Sequence, residues 1–178
     1  MTEENNEWNK SIFGTHVSEE SLFENLIGND TEDGLLQWMK DEMETQLGKD
    51  WYGLIMIGTF SIPEIVRKGV FPFIQIHPAS SSYENIAMCM DEHEISVQII
   101  TTIKNPRLDW GYMMTSRYAS DLYDLFKSRT PSPELGSWEN PPHSGKIDYD
   151  FVEGGNNQFI SFSLLELNFR YDISTEAI

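Results

Sequence analysis

Cys89, Asp91, Glu92, His93 and Glu94 form the densest run of potential metal ligands and proton-transfer groups in the chain. In an extended strand Asp91 and His93 point to one face while Glu92 and Glu94 point to the other, so only two ligands converge. Zinc needs a larger set, usually Cys or His pairs spaced across a turn, and His16, His77 and His143 show no such spacing. The run reads as a turn rich in solvated acids. Ser80-Ser81-Ser82 offers hydroxyl nucleophiles but lacks the Gly-x-Ser-x-Gly elbow that exposes a catalytic serine, so it reads as a polar linker. Asp148 and Asp150 share one strand face, as paired acid–base carboxylates would. Separating their pKa values would require an apolar pocket, and a hairpin position turns them towards solvent instead. Gly53 and Gly58 are not followed by the Gly-Lys-Ser/Thr of a phosphate loop. These residues give no catalytic group, no cofactor site and no metal site, and the expectation is a protein that is not an enzyme.

What remains is chemistry of contact. Arg67-Lys68 and Lys104 with Arg107 are basic pairs too small for a nucleic-acid surface and sufficient for a salt bridge between subunits. Trp110, Tyr112 and Trp138 stand in or beside expected loops. Core filling is the ordinary use of such residues, and the centre of a protein contact is the next, because aromatics are enriched there. Pro131, Pro133, Pro141 and Pro142 make 128–144 an extended loop that cannot sustain helix or central strand, and Leu135 and Trp138 give it apolar anchors. The candidate interface residues are therefore Arg67, Lys68, Arg107, Trp110, Tyr112, Leu135 and Trp138.

With 178 residues, 39% of them hydrophobic, the chain can build one core of ordinary size. The net charge of −17 argues against binding phosphate backbones, which depends on Lys and Arg releasing counterions. The first fifty residues hold thirteen acids against Lys10, Lys40 and Lys49. Residues 1–29 thus read as an acidic arm, containing at most a short helix from Ser18 to Leu26, and 30–178 as a single domain. The arm serves either solubility or partner docking. One cysteine excludes an intrachain disulfide and fits a reducing compartment. The apolar stretch from Trp51 to Phe60 is too short to span a bilayer, and the acidic opening Glu3, Glu4, Glu7 is unlike a secretory signal.

The elements that would position these groups follow from periodicity. Leu35 or Leu36, Met39, Met43 and Leu47 form a helical stripe capped at Asp30 or Thr31 and ended by Gly48. The stretch from Trp51 to Pro72 supports either a strand through Ile55, Ile57, Phe60 and Ile62 or a helical turn from Pro63 to Lys68. A short strand covers Phe71 to His77, bounded by Pro78, and a polar connection runs from Ala79 to Asn85. Ile86 to Met90 can continue as strand before Asp91-Glu92 turns the chain. Ile95, Val97, Ile99, Thr101 and Ile103 then share one strand face, opposite Ser96, Gln98 and Thr102. Met113 to Lys127 has helical spacing. Lys146 to Val152 and Phe159 to Ile173 form a hairpin around Gly154-Gly155-Asn156-Asn157. Within the last strand Ile160, Phe162 and Leu164 oppose Leu165, Leu167, Phe169 and Tyr171. Either a bulge near Ser163 reconciles the two sets, or both faces are covered, one by a helix of the same chain and the other by a second subunit. The fold class is α+β: a mixed or antiparallel sheet of about four strands flanked by two or more helices, with an extended proline-rich loop.

This order of elements, with Phe71-Pro72-Phe73-Ile74-Gln75-Ile76-His77-Pro78 and His93-Glu94-Ile95-Ser96-Val97-Gln98-Ile99-Ile100 as first strands, resembles the tail terminator or tail-completion proteins of long-tailed bacteriophages. The resemblance covers about three quarters of the chain and rests on element order. It implies a structural virion protein of the tail or neck, assembled in the host cytoplasm. Such a subunit closes into a hexameric ring that caps the tail tube and joins it to the head connector. Its implied partners are copies of itself, the tail tube protein and a connector or stopper protein. DNA would pass through without specific binding, eased by the repulsion between carboxylates and phosphates, and no membrane is involved. A soluble α+β adaptor or binding module without catalysis is the alternative. On either reading Trp138→Ala is expected to leave the monomer folded, by circular dichroism, while weakening assembly measured by sedimentation. Loss of folding would place Trp138 in the core instead.

Overall fold

The structure, a computed structural model, describes residues 34–87, 90–129, 131, 144–154 and 157–174. Helix α1 spans Leu35–Leu47, strand β1 Leu54–Ile57, helix α2 Ile62–Lys68, β2 Phe73–Ala87, β3 Met90–Asn105, helix α3 Leu108–Lys127, β4 Ser144–Gly154 and β5 Gln158–Ser174. The strands form one sheet in the order β1-β2-β3-β5-β4, with β1 parallel to β2 and every other pairing antiparallel. The architecture is α+β with a mixed five-stranded sheet, one strand more than the sequence suggested, because the ambiguous segment after Trp51 supplies both β1 and α2. The proline-rich loop and the acidic arm lie outside the described residues. Among the described residues no helix is long and apolar enough to cross a membrane.

The core forms where the period-2 face of the sheet meets the period-3.6 stripes of α1 and α3. Leu35, Leu36, Met39 and Met43 of α1 and Leu122, Leu125 and Phe126 of α3 bury against Ile74 and Ile76 of β2, Ile95, Val97 and Ile99 of β3, and Leu165, Leu167 and Phe169 of β5. Each such side chain contributes about 1.5–3 kcal/mol relative to an exposed one. Aromatic contacts pin the helices to one another and to the approach to β1. Trp38 packs on Phe126 at 5.8 Å between ring centroids, and Trp51 Nε1 donates to Tyr118 Oη at 3.0 Å.

Towards its N-terminus α3 changes its means of packing, because the buried positions Gly111, Thr115 and Ala119 are small. They let the helix axis approach Ser161 and Ser163 of β5, and Ser163 Oγ donates to the Thr115 carbonyl at 3.2 Å. A Cβ at position 111 would collide with Ser161 Oγ, so glycine is required by proximity.

β5 pairs with β3 in one uninterrupted register from Phe159 opposite Asn105 to Ser174 opposite Met90. No bulge occurs at Ser163. The two apolar sets of this strand therefore face opposite sides: Leu165, Leu167 and Phe169 meet the helices, while Ile160, Phe162 and Leu164 face away from them. On that second face the segment leading into α2 covers β2. Phe60 meets Phe73 edge-on at 5.7 Å, and its N–H donates to Gln75 Oε1 at 2.9 Å.

Several expected boundaries shift for identifiable reasons. α1 begins at Leu35, with Gly34 as an extended N-cap, rather than at Thr31; a glycine there leaves the first N–H groups free without strain. β2 continues past Pro78 through the serine run, because the ladder slips by one residue between Pro78 and Ser80 and the irregularity absorbs the proline. Asp91 and Glu92 accordingly lie in β3, opposite Asn85 and Glu84, rather than in a turn. α3 begins at Leu108, which makes Trp110 and Tyr112 helical rather than loop residues. Gly111, in its first turn, lies close against Ser161 of β5.

Gly111→Ala is expected to destabilise the protein by about 1–3 kcal/mol, the usual consequence of overpacking, measured as a lower urea midpoint. Ser161 Oγ has no hydrogen-bond partner, so Ser161→Ala alone should be close to neutral and should recover part of that loss in the double variant.

Candidate interaction surface

β4 ends the sheet beyond α3, and its helix-side residues meet that helix only in part. Tyr112 lies edge-on to Phe151 at 5.8 Å between centroids, Phe151 to Phe159 at 6.5 Å, and Ser116 Oγ sits 3.4 Å from Tyr149 Oη. The arrangement supports the edge strand and leaves much of its apolar surface in water. Tyr149 is 43% exposed, Phe151 36% and Val152 41%; on α3, Trp110 is 46% and Met113 36% exposed. Tyr149 and Phe151 make an exposed strip on the helix side of β4, and Val152 exposes apolar surface on the opposite face; apolar surface gathered at a sheet edge marks a contact site more often than scattered surface apolars do.

Charge frames the strip. The Arg107 guanidinium bonds the Asp109 carboxylate and lies 5.7 Å from the Trp110 ring centroid. Its hydrogen bonds hold the Asp109 carboxyl below the usual aspartate value, and Asp109 raises the arginine in return. Asp148 and Asp150 stand exposed on the second face of β4. Lys146 reaches Asp148 at 2.7 Å, and that contact raises the lysine's pKa. Among the described residues no group of metal-ligating side chains is assembled that could hold an ion.

Of the residues singled out from the sequence, Arg107, Trp110 and Tyr112 all lie at the start of α3, Arg107 against the Trp110 ring and Tyr112 turned to Phe151 of β4. Arg107 is committed to Asp109 within its own chain, so its first role is local. Arg67 and Lys68 occupy the last turn of α2 at the other end of the sheet, both exposed, with the Lys68 ammonium 5.3 Å from the Phe60 ring centroid. Leu135, Trp138 and Cys89 lie outside the described residues. Sequence reasoning missed Met113, Tyr149, Phe151 and Phe159. The alternation of Ile147, Tyr149 and Phe151 did show that they share a face, but only the strand order shows that this face lies at an edge.

A comparison of the chain with protein-family models finds no match, and a comparison with curated proteins finds none either.

The basic end of α2 is held in place by its beginning. Glu64 Oε2 accepts hydrogen bonds from the Ser61 hydroxyl at 2.6 Å and from the Ser61 N–H at 2.8 Å. These bonds, followed by the nearby charges of Arg67 and Lys68, hold the Glu64 carboxyl below its ordinary value. A carboxyl depressed on folding supplies stability that is complete above its unfolded pKa and is lost as pH falls through its folded one. Opening of α2 should therefore rise on acidification below the ordinary glutamate range. Amide exchange at Ile65, whose N–H bonds the Ser61 carbonyl, measures it after correction for intrinsic rates. Glu64→Gln should already show greater opening at neutral pH and lose this dependence.

Proposed function

We propose that this chain is a structural subunit of a long-tailed phage virion, a tail terminator or tail-completion protein that works as a ring at the end of the tail tube and joins it to the head connector. The observation that carries this reading is the exposed apolar surface at one edge of the sheet, Tyr149 and Phe151 on the helix side of β4 and Val152 on its other face, with Trp110 and Met113 exposed on α3, which calls for a protein partner. The α+β architecture with a sheet flanked by helices agrees with the resemblance in element order. The charge of −17 suits a channel through which DNA must slide, since carboxylates repel phosphates and leave no adhesive contacts. Copies of the chain, the tube protein and a connector or stopper protein are the partners, with no catalytic step.

Purified protein incubated with isolated tail tubes should appear as a cap of density at tube ends in negative-stain electron micrographs, and should leave DNA unretarded in gels at low salt. Bare tube ends at saturating protein would overturn the proposal, and a soluble adaptor would then be the better description.

A further inference from the structure

Resting on the ring reading above, we infer that copies of this chain join head to tail by pairing the free edge of β4 in one copy with the free edge of β1 in the next, so that one sheet continues from subunit to subunit. The two edges are suited to each other in direction, level, side chains and charge.

Direction follows from the sheet order. β1 and β4 are its two ends, and the pairings along β1-β2-β3-β5-β4 make them antiparallel to each other. A neighbour placed beside the sheet in the same orientation therefore presents its β1 antiparallel to β4, ready for a regular ladder. Among the described residues neither strand has a partner on its outer side.

Level follows from the register. Leu54, Phe73, Thr102, Phe162 and Asp150 form one row across the sheet, and Met56, Gln75, Ile100, Leu164 and Asp148 form another. The intervening row runs from Ile55 to Tyr149, and the next from Ile57 to Ile147. A neighbour at the same level thus sets Ile55 beside Tyr149 and Ile57 beside Ile147 on the helix face. Continuing two rows outward from Leu54 beside Asp150 sets Tyr52, which is 74% exposed, beside Val152 on the second face. These are the apolar cross-strand pairs that stabilise sheets.

Charge falls on the second face. Asp148 and Asp150 project there from β4, and α2 belongs to the same face through Phe60 on Phe73. Its last turn carries Arg67 and Lys68 and leads within a few residues to Phe73, the register partner of Leu54. The neighbour's two cations thus lie on the same face of the continued sheet as the two acids, while Glu64 on the same helix is turned back to Ser61. Pairing of β4 with its own copy about Tyr149 would set Asp148 against Asp150 twice, a like-charge arrangement that disfavours an isologous dimer. A heterologous contact between two different edges builds a ring when its rotation closes.

The charges permit a swap experiment. Asp148→Lys with Asp150→Lys, and separately Arg67→Glu with Lys68→Glu, should each weaken self-association by at least about a hundredfold in sedimentation equilibrium, as like charges at a contact do. Both should keep the circular dichroism of the parent. Mixed in equal amounts they should assemble again, because alternating copies then oppose unlike charges at every junction. A second measurement does not depend on tolerance of those changes. Tyr52→Cys with Val152→Cys, in a Cys89→Ser background, should oxidise to a ladder of multimers. Parent protein that is monomeric at every concentration, folded variants that assemble like the parent, folded variants whose mixture stays apart, or oxidation that stops at dimers would each overturn the inference. Tube capping is read independently: charge-swap rescue with bare tube ends would retract the tail assignment and leave the contact standing.

Discussion

The unbroken antiparallel ladder between β3 and β5 is the constraint on which the rest depends. Because its register runs without a slip from Asn105 opposite Phe159 to Met90 opposite Ser174, alternate residues of both strands are committed to opposite faces along the whole length. Ile95, Val97 and Ile99 with Leu165, Leu167 and Phe169 make a continuous floor for α1 and α3. The residues between them must then face the other way, where Ile100, Phe162 and Leu164 are half-buried. A single slip would exchange the two sets and leave the helices without a surface to cover.

The small residues of α3 work within that constraint. Gly111, Thr115 and Ala119 bring the helix close over Ser161 and Ser163, so its N-terminal half is centred over β5. β4 then extends past the helix, supported on its near side by Tyr112 and Ser116 and left open at Tyr149 and Phe151. The exposed strip is a geometric result of close packing one strand away. At the opposite end β1 is only four residues long and is followed at once by α2, whose last turn carries Arg67 and Lys68 while its one acid, Glu64, is bonded to Ser61.

The elements legible in the sequence are those whose periodicity was local and long. The alternation through Ile95 to Ile103, the stripe of Leu35, Met39 and Met43, and the paired phases of the last strand each belong to a single segment and appear in the structure as read. Pro78 was misread because its usual meaning, a break, was overruled by tertiary context, a slipped ladder that carries β2 past it. For the site, Arg107, Trp110 and Tyr112 were legible because they are neighbours in the chain. Tyr149 and Phe151 were not, since an edge is a property of strand order, and strand order arises from pairings between distant segments that no local pattern encodes.

Three strands of this sheet, β2, β3 and β5, are longer than the helices that support it. β3, with 16 residues, extends roughly 50 Å, whereas α3, with 20, measures roughly 30 Å. Ladder continues to the far ends of β2, β3 and β5, where Ala87 opposes Met90 and Met90 opposes Ser174, so a narrow three-ply tongue projects past the helical layer of the described residues. Such a blade, held by its backbone ladder and by the ion pair of Arg170 with Glu94, yields to twist more readily than the part clamped under α1 and α3. Load applied at its tip is therefore turned into rotation about the clamped end.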